Sequence, residues 1–325
     1  MRRYHHAFFA LAAIAGMAAF VAIAHAQVGE QPIRIIFPYA AGASGDGISR
    51  LMAEQLRAAL NRPVIVENRT GAAGRIGVQA VKSAAPDGAT VLLTPIAPMS
   101  VFQLVYPNLG YDPIADFRPI TQIGTFDLAV AVGPGTSATT LKELVAWLKA
   151  NPTLANYGMP AAGSLPHFFG VLFGRAAGID LKPITYRGSA AAITDLVGGQ
   201  VPLVFTTTTD LLPLSRAGRL RILATSGAQR SQFLPDVPTF KEAGYDIQGS
   251  GWYGMFAPAR TPDDIVARYS KIIVEAIALP EVKNRLLELG LEPTGTTADA
   301  FAAIQKADAA LWAPAVKASG FTPEQ

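Results

Sequence analysis

Residues 33–60 read IRIIFPYAAGASGDGISRLMAEQLRAAL: a short apolar strand, a glycine-rich turn and then an amphipathic helix. The first N–H groups of a helix have no partner inside it and carry the positive end of the helix dipole. Small residues in the turn, residues 38–47, let a ligand approach these donors, so the unit predicts an anion site. The turn matches neither the Walker pattern nor G-x-G-x-x-G, which argues against a nucleotide phosphate.

Strand-like apolar runs alternate with helical patterns along most of the chain, which is typical of parallel α/β layers. A capping box at residues 140–143 (TLKE) and a proline-initiated start at residues 261–264 (TPDD) mark two helices. A last helix is expected over about residues 298–317, shortened or kinked by Pro314. The candidate strands are 33–37, 64–67, 90–93, 128–132, 156–158, 184–186, 203–205, 222–225 and 253–257.

The length of the chain favours two lobes, because about 300 residues exceed the usual range of a single core. Residues 120–126 and 225–238 look like crossings between the lobes. We therefore predict that residues 27–122 and 230–325 form lobe 1, and that residues 123–229 form an inserted lobe 2.

The N-terminus has the pattern of a secretory signal, residues 1–26. Arg2 and Arg3 precede an apolar stretch over residues 8–24, and residues 24–26 (AHA) fit a small-x-small cleavage site. The alternative is a retained membrane anchor, but the stretch is short and rich in alanine for a spanning helix. We expect the mature chain to begin near Gln27, in the periplasm.

Composition narrows the chemistry. The chain has no cysteine, and of its four histidines only His167 lies beyond the predicted signal, so we expect no metal site and no cofactor. Loss of the signal leaves 25 basic and 24 acidic residues, which favours neither nucleic acid nor membrane binding.

Two further glycine-rich turns follow strands, at residues 68–77 and 158–167. One comes from each predicted lobe, so they are able to face each other and hold the two ends of one ligand.

Four single residues have alternative roles. His167 is a candidate catalytic base, but no G-x-S-x-G elbow occurs and a histidine at a helix start is more often a hydrogen-bonding group. Asp46 complicates the anion site, and complementation of the helix dipole is its simpler role. Trp252 and Tyr253 are expected to pack in the core or at a hinge, with ligand contact as the alternative.

An ordered set of short motifs resembles the Bug/TctC family of periplasmic solute receptors, the binding subunits of tripartite tricarboxylate transporters. The resemblance covers nearly the whole mature sequence. The motifs are PIRII with PYAAG (residues 32–36 and 38–42), VENR (66–69), APDG (85–88), GS with PH (163–164 and 166–167), YRG (186–188), DLVGGQV (195–201) and GWYG (251–254).

The resemblance implies a two-lobed α/β fold of the type II periplasmic binding protein kind, with a ligand cleft between the lobes. It implies no enzymatic activity and a small carboxylate held by the first turn and by the GSxPH turn, with ordered water mediating. The site residues expected on this basis are Tyr39, Ala41, Gly42, Ala43, Ser44, Gly45, Asp46, Gly163, Ser164, His167, Thr206 and Thr207, with Asn68, Met99, Tyr186 and Trp252 as further candidates.

Three departures from the family pattern bear on the ligand. Gly42-Ala43 replaces a Gly-Gly pair, and residues 94–99 (TPIAPM) replace a small polar segment, which predicts a more apolar cleft wall. Thr206 stands where an aspartate is common. Replacing a fixed negative charge with a hydroxyl favours an anionic ligand end and disfavours an ammonium group.

The resulting hypothesis is a monomeric periplasmic receptor that captures a mono- or dicarboxylate, lacking an amine and with an aliphatic or aromatic body, for membrane permease subunits. Substitution of Ser164 by alanine is expected to weaken binding if its hydroxyl bonds the carboxylate directly. The alternatives are a ligand-sensing receptor that docks to a membrane kinase, and a secreted hydrolase or isomerase.

Overall fold

The computed structural model describes residues 31–322. The predicted signal segment, residues 1–26, and the cleavage site lie outside the described residues. From Ile33 onward the chain forms one compact unit. No helix within residues 31–322 has both the length and the apolar character needed to cross a membrane.

The strands of residues 31–322 are β1 (Ile33–Phe37), β2 (Val64–Asn68), β3 (Thr90–Pro95), β4 (Phe117–Val132), β5 (Asn156–Met159), β6 (Lys182–Thr185), β7 (Leu203–Thr207), β8 (Arg221–Thr225), β9 (Ser250–Pro258) and β10 (Glu292–Pro293). The α-helices of the same residues are α1 (Ser44–Leu60), α2 (Arg75–Lys82), α3 (Leu141–Ala150), α4 (Leu165–Ala177), α5 (Ser189–Val197), α6 (Thr208–Arg216), α7 (Asp263–Ala278), α8 (Pro280–Glu288) and α9 (Ala298–Ser319).

The strands form one continuous curled sheet in the order β2-β1-β3-β9-β4-β7-β5-β6, with β8 and β10 also paired to β4. Strand β4 has 16 residues and joins two parts of this sheet. Its residues 117–127 pair with β9, and its residues 128–132 pair with β7 and β8. We call the part containing β1, β2, β3, β9 and β10 the first half, and the part containing β5, β6, β7 and β8 the second half.

The sequence predicted parallel layers, and the sheet is in fact mixed. Strands β1, β2 and β3 pair in parallel, as do β5, β6 and β7. The connecting strands β4 and β9 pair antiparallel with their neighbours because they carry the chain from one half to the other and back. The predicted boundary at residue 122 falls inside β4, and the lobe boundaries themselves stay a prediction.

The second connection between the halves runs from β8 to β9 and lies against the first. The N–H of Leu128 donates to Oγ of Ser226 (2.8 Å), and that hydroxyl donates to the carbonyl of Gly249 (2.5 Å). The N–H of Gly249 in turn donates to the carbonyl of Ser226 (2.9 Å). These bonds tie the two connecting segments together at one point.

Helix α1 forms as its pattern predicts. Ile48, Leu51, Met52 and Leu56 are buried along one face. The helix ends where Asn61 adopts a left-handed conformation (φ 49°), two residues before the proline that cannot continue it.

The other helix predictions hold with small shifts. The N–H of Glu143 donates to Oγ1 of Thr140, and the carboxylate of Glu143 accepts from the N–H of Thr139, so the capping box is present at α3. Helix α7 starts at Asp263 after Pro262, one residue later than expected. Helix α9 continues through Pro314 to Ser319. Each predicted strand is present, most with small changes at their ends, β4 begins eleven residues earlier than predicted, and β10 was not predicted.

Candidate functional site

A cavity lies between the two halves of the sheet, and its empty volume of about 550 Å³ includes space that is open to solvent. Its wall is mostly apolar, with aromatic rings on the side of the first half. Pro95, Ile96 and Ala97 belong to the segment from which an apolar wall was predicted. The lining residues are Phe37, Tyr39, Ala43, Pro95, Ile96, Ala97, Phe126, Leu128, Pro160, Ala161, Ser164, Leu165, Pro166, Gly188, Ser189, Thr207, Asp210 and Tyr253.

Four helices begin at this cavity. The N-caps of α1, α4, α5 and α6 are Ala43, Ser164, Gly188 and Thr207, and all four residues line it. Each of these helices directly follows a strand or a short turn after one, so the sheet delivers all four starts to the same place. Helix N-termini carry partial positive charge and unpaired N–H groups, so the arrangement favours an anion in the cavity.

One carboxylate of the protein already lies among these helix starts. Asp210, in the first turn of α6, accepts a hydrogen bond from the N–H of Ser44 (2.9 Å) and another from the Ser44 hydroxyl. Oγ1 of Thr206 donates to the other oxygen of Asp210 (3.3 Å). Ser44 belongs to the first half of the fold and Asp210 to the second, so this contact bridges the cavity. The side chain of Asp210 therefore occupies donors that the sequence analysis assigned to a ligand.

A chain of hydroxyl groups continues from this bridge. Oγ of Ser44 lies 2.8 Å from Oγ1 of Thr209, which lies 2.7 Å from Oγ1 of Thr207. The hydroxyl of Tyr253 lies 3.5 Å from Oγ of Ser44. Burial is the main reason that the pKa of Tyr253 is raised, and the nearby Asp210 raises it further. Tyr253 is therefore neutral and serves as a hydroxyl donor or acceptor.

Other predicted donors also have partners within the protein. The N–H of Gly42 points to the carboxylate of Asp46 (3.3 Å), and the N–H of Gly163 donates to Nδ1 of His167 (3.1 Å). The hydroxyl of Ser164 donates to the carbonyl of Ala161 (2.7 Å). The expected direct bond from this hydroxyl to a carboxylate does not fit this geometry, because its proton is already used. Ser164 has only lone pairs to offer a ligand.

Asp46 and Asn68 hold the first turn in shape. The carboxylate of Asp46 pairs with Arg50 (3.1 Å) and accepts from the side-chain amide of Asn68 (3.1 Å). The same amide of Asn68 donates to the carbonyl of Tyr39 (3.1 Å). The simpler reading of Asp46, a first-turn acid of α1, matches these contacts.

His167 is a buried, neutral hydrogen-bond acceptor. Its ring lies edge-to-face against Phe321, with centroids 4.6 Å apart, and nearly parallel to Phe168. Burial lowers the pKa of His167 from 6.5 to about 4. The geometry thus gives His167 the hydrogen-bonding role at a helix start, where it fixes the turn that contains Gly163.

The structure brings part of the predicted site together and leaves part of it outside. Tyr39, Ala43, Ser164 and Thr207 line the cavity. Ala41, Gly42, Ser44, Gly45 and Thr206 lie directly behind or beside these residues, within the same turns and strand ends.

Three further candidates lie elsewhere. The indole N–H of Trp252 donates to Asp308 (2.6 Å) and the ring packs on Phe301, in the core of the first half. Met99 is fully buried. Tyr186 faces a separate groove and its hydroxyl donates to Asp195 (2.7 Å).

Sequence reasoning missed two polar residues of the cavity, Ser189 and Asp210. Ser189 follows the YRG motif at residues 186–188, and its hydroxyl lies 2.8 Å from Oγ1 of Thr206. Asp210 ends the run TTTTD, a strand end followed by a first-turn acid, which is the same pattern that singled out Asp46. That pattern gave a signal, but nothing local showed that the carboxylate reaches a helix of the other half.

One protein family matches most of this chain. A family model described as "Tripartite tricarboxylate transporter family receptor" matches residues 48–321. The protein BugT of Bordetella pertussis is 32% identical over 292 residues, which cover 89% of this chain and 90% of BugT. A UPF0065 protein of Bordetella bronchiseptica is 36% identical over 262 residues, which cover 81% of this chain and 78% of that protein.

Solved structures agree in fold. The periplasmic binding protein BugD superposes with a TM-score of 0.86 at 32% identity, over 91% of this chain and 99% of BugD. A Rhodopseudomonas palustris protein solved with adipate gives a TM-score of 0.87 at 28% identity, over 92% and 100%. MatC of the same organism, solved with malate, gives 0.83 at 26% identity, over 88% and 98%. The predicted periplasmic-binding-protein-like α/β fold is confirmed, and the chain belongs to the tripartite tricarboxylate transporter family of periplasmic solute-binding receptors.

Proposed function

We propose that this protein captures a small organic carboxylate in the cavity between its two halves and delivers it to membrane permease subunits. The observation that carries the proposal is the convergence of four helix N-termini on one largely apolar cavity. Each N-terminus is equivalent to about half a positive charge, so four of them outweigh the carboxylate of Asp210, while the Asp46 carboxylate in the first turn of α1 is paired with Arg50. The surplus favours one further anionic group.

The rest of the cavity fits the uncharged part of a ligand. Phe37, Phe126 and Leu128 present carbon surface, and the flat rings accept an aliphatic chain or an aromatic ring. Relatives support the same ligand class, since structures of two of them were solved with adipate and with malate. We expect ordered water beside Ser164 and Ser189 to supply donors where the protein's own hydroxyls are engaged.

We still propose a ligand without an amine, but the structure supplies a different reason for excluding an ammonium group. Thr206 carries no negative charge, yet Asp210 brings one into the cavity one helical turn later. Asp210 attracts an ammonium group and repels a carboxylate, but its oxygens already accept three protein hydrogen bonds, so the four helix starts decide in favour of an anionic ligand. A comparison of succinate with aspartate decides the question, and tighter binding of aspartate contradicts this part of the proposal.

A thermal-shift screen tests the proposal as a whole, because a ligand that binds only the native state raises the melting temperature. The panel pairs each acid with its neutral amide: hexanoate with hexanamide, and benzoate with benzamide. We expect acids to raise the melting temperature and the matched amides to leave it unchanged. Equal shifts within each pair, or no shift with any acid including adipate and malate, would refute a carboxylate receptor.

The proposal includes export and a monomeric state. On expression in a Gram-negative host, we expect the protein in the periplasmic fraction, with an intact mass that corresponds to a chain beginning near Gln27. The same mass in the cytoplasmic fraction, or an uncleaved chain in the membrane fraction, contradicts the predicted signal.

The hydrolase alternative has little support. The family is one of receptors, and His167 is buried and neutral with a pKa lowered to about 4, which makes it a weak base.

A further inference from the structure

A second groove adjoins the cavity on the outside of the fold. It lies between residues 70–75, which precede and begin α2 in the first half, and residues 183–187 of the second half. Tyr39 and Pro160 line both the groove and the cavity, so the two spaces adjoin at these residues. A ligand that passes between them reaches from one space into the other.

The groove is positively charged. Arg75 and Arg187 line it, and none of the described residues that line it is an aspartate or a glutamate. His167 also lines the groove and is neutral, because burial lowers its pKa to about 4. The formal charge of the lining side chains is therefore two positive charges without a counterion.

Arg75 is held in place with its hydrogen-bonding edge available. Its guanidinium lies 4.2 Å from the centroid of the Tyr106 ring, and its Nε donates to the carbonyl of Ala72 (3.0 Å). Stacking uses the face of the guanidinium and leaves the terminal N–H groups in its plane for a carboxylate. The turn that carries Arg75 is itself unusual, since Ala72 and Ala73 both have positive φ (46° and 58°).

Arg187 approaches the groove from the opposite side. It is exposed and, within residues 31–322, it forms neither an ion pair nor a hydrogen bond with another side chain. The next residue, Gly188, lies against the first turn: a Cβ there would be 3.6 Å from the backbone nitrogen of Ala40. This close approach fixes the base of Arg187 at the line where the two halves meet.

We propose that Arg75 and Arg187 form an acid-binding subsite for the second carboxylate of a dicarboxylate whose first end occupies the cavity. This inference rests on the proposed function and adds to it the length and the two-ended charge of the ligand. The carbon chain of the ligand passes between Tyr39 and Pro160. Two guanidinium groups from different halves then close on one carboxylate, which is the geometry that arginine suits best. The subsite therefore selects diacids over monoacids of the same chain length.

Calorimetry with matched acids tests the subsite. Adipate and hexanoate share a six-carbon chain and differ in the second carboxylate, and terephthalate and benzoate are the corresponding aromatic pair. For the wild-type protein we expect the diacid of at least one pair to bind about tenfold or more tightly than its monoacid. In Arg187→Gln and in Arg75→Gln, diacid affinity should fall toward that of the monoacid, while monoacid affinity stays unchanged.

The matched control is Arg260→Gln, which removes an exposed arginine far from the groove in sequence and not part of its lining. It should leave both affinities unchanged, and thermal unfolding checks that every variant folds. Equal loss of monoacid and diacid binding, or wild-type diacid affinity in both groove variants, overturns the subsite. A wild-type preference for monoacids overturns it as well, while leaving the carboxylate receptor intact. Binding of no acid at all refutes the proposed function instead.

Discussion

The carboxylate of Asp210 accepts three hydrogen bonds from Ser44 and Thr206 and lines the cavity proposed for the first carboxylate of the ligand. Replacing it with asparagine keeps an acceptor for the Ser44 N–H but removes the negative charge. We expect Asp210→Asn to bind hexanoate or benzoate about tenfold more tightly, because one source of repulsion is gone. We also expect its free energy of unfolding to be about 1 kcal/mol lower than that of the wild type, because its hydrogen bonds are no longer made to a charged group.

Calorimetry and chemical denaturation measure the two effects. Asp236→Asn is the control, because Asp236 is exposed and does not line the cavity. Weaker acid binding in Asp210→Asn would show that Asp210 helps to hold the ligand and does not repel it.

His167 makes the stability of the protein depend on pH. The native state keeps the ring neutral, with a pKa lowered by burial to about 4, whereas the unfolded chain takes up a proton near 6.5. The stabilisation is therefore present above about pH 6.5 and is lost as the pH falls toward 4, by up to about 3 kcal/mol.

His167→Gln removes this titration and keeps an acceptor for the Gly163 N–H. We expect the difference in free energy of unfolding between the wild type and His167→Gln to shrink or reverse between pH 7 and pH 4. Denaturant titrations across this range measure it. A difference that is constant with pH means that His167 does not titrate in this way.

At the scale of the element, the start of α1 offers two glycines with opposite surroundings. A Cβ on Gly45 would lie 2.4 Å from the ring of Phe37, whereas a Cβ on Gly47 would meet nothing within 4 Å. Gly45→Ala should therefore destabilise the protein by about 1–3 kcal/mol and displace rings that line the cavity. Gly47→Ala should stabilise it by about 0.5–1 kcal/mol, because alanine is the better helix former.

Thermal and chemical unfolding of the two variants measure these effects, and each variant serves as the control for the other. Equal effects would mean that the packing of Gly45 against Phe37 does not restrict the start of α1.

For the molecule as a whole, an engineered disulfide tests whether the two halves must separate to exchange a ligand. Oγ of Ser44, in the first half, and Oγ1 of Thr209, in the second, lie 2.8 Å apart, and the chain has no cysteine of its own. A Ser44→Cys/Thr209→Cys double variant therefore places two thiols close enough for a disulfide. Oxidation should tie α1 to α6 and slow the exchange of a bound acid by about tenfold or more.

Stopped-flow exchange of a bound acid, with and without reductant, measures this effect. Each single cysteine variant is a control that should respond to neither oxidant nor reductant. Unchanged exchange in the oxidised double variant would indicate that ligands enter without separation of the two halves.

Local sequence patterns predicted the helices and strands and their order along the chain. The periodicity of α1, the capping box at α3 and the apolar strands all follow from neighbouring residues, and they are present where predicted. Of the three glycine-rich turns that the sequence singled out, those at residues 38–47 and 158–167 contribute to the lining of the cavity, whereas no residue of 68–77 lines it. The family resemblance added the fold and the class of receptor.

Which side chains meet in the site depends on how distant parts of the folded chain pack together. Ser44 and Asp210 are 166 positions apart, and their contact depends on how β4 and β9 bring the two halves together. The same long-range placement gave the Ser44 donors a partner within the protein, and placed Arg75 and Arg187, from different halves, in the lining of one groove. Such contacts arise from the packing of distant segments, and no local pattern of charge or apolar residues encodes that packing.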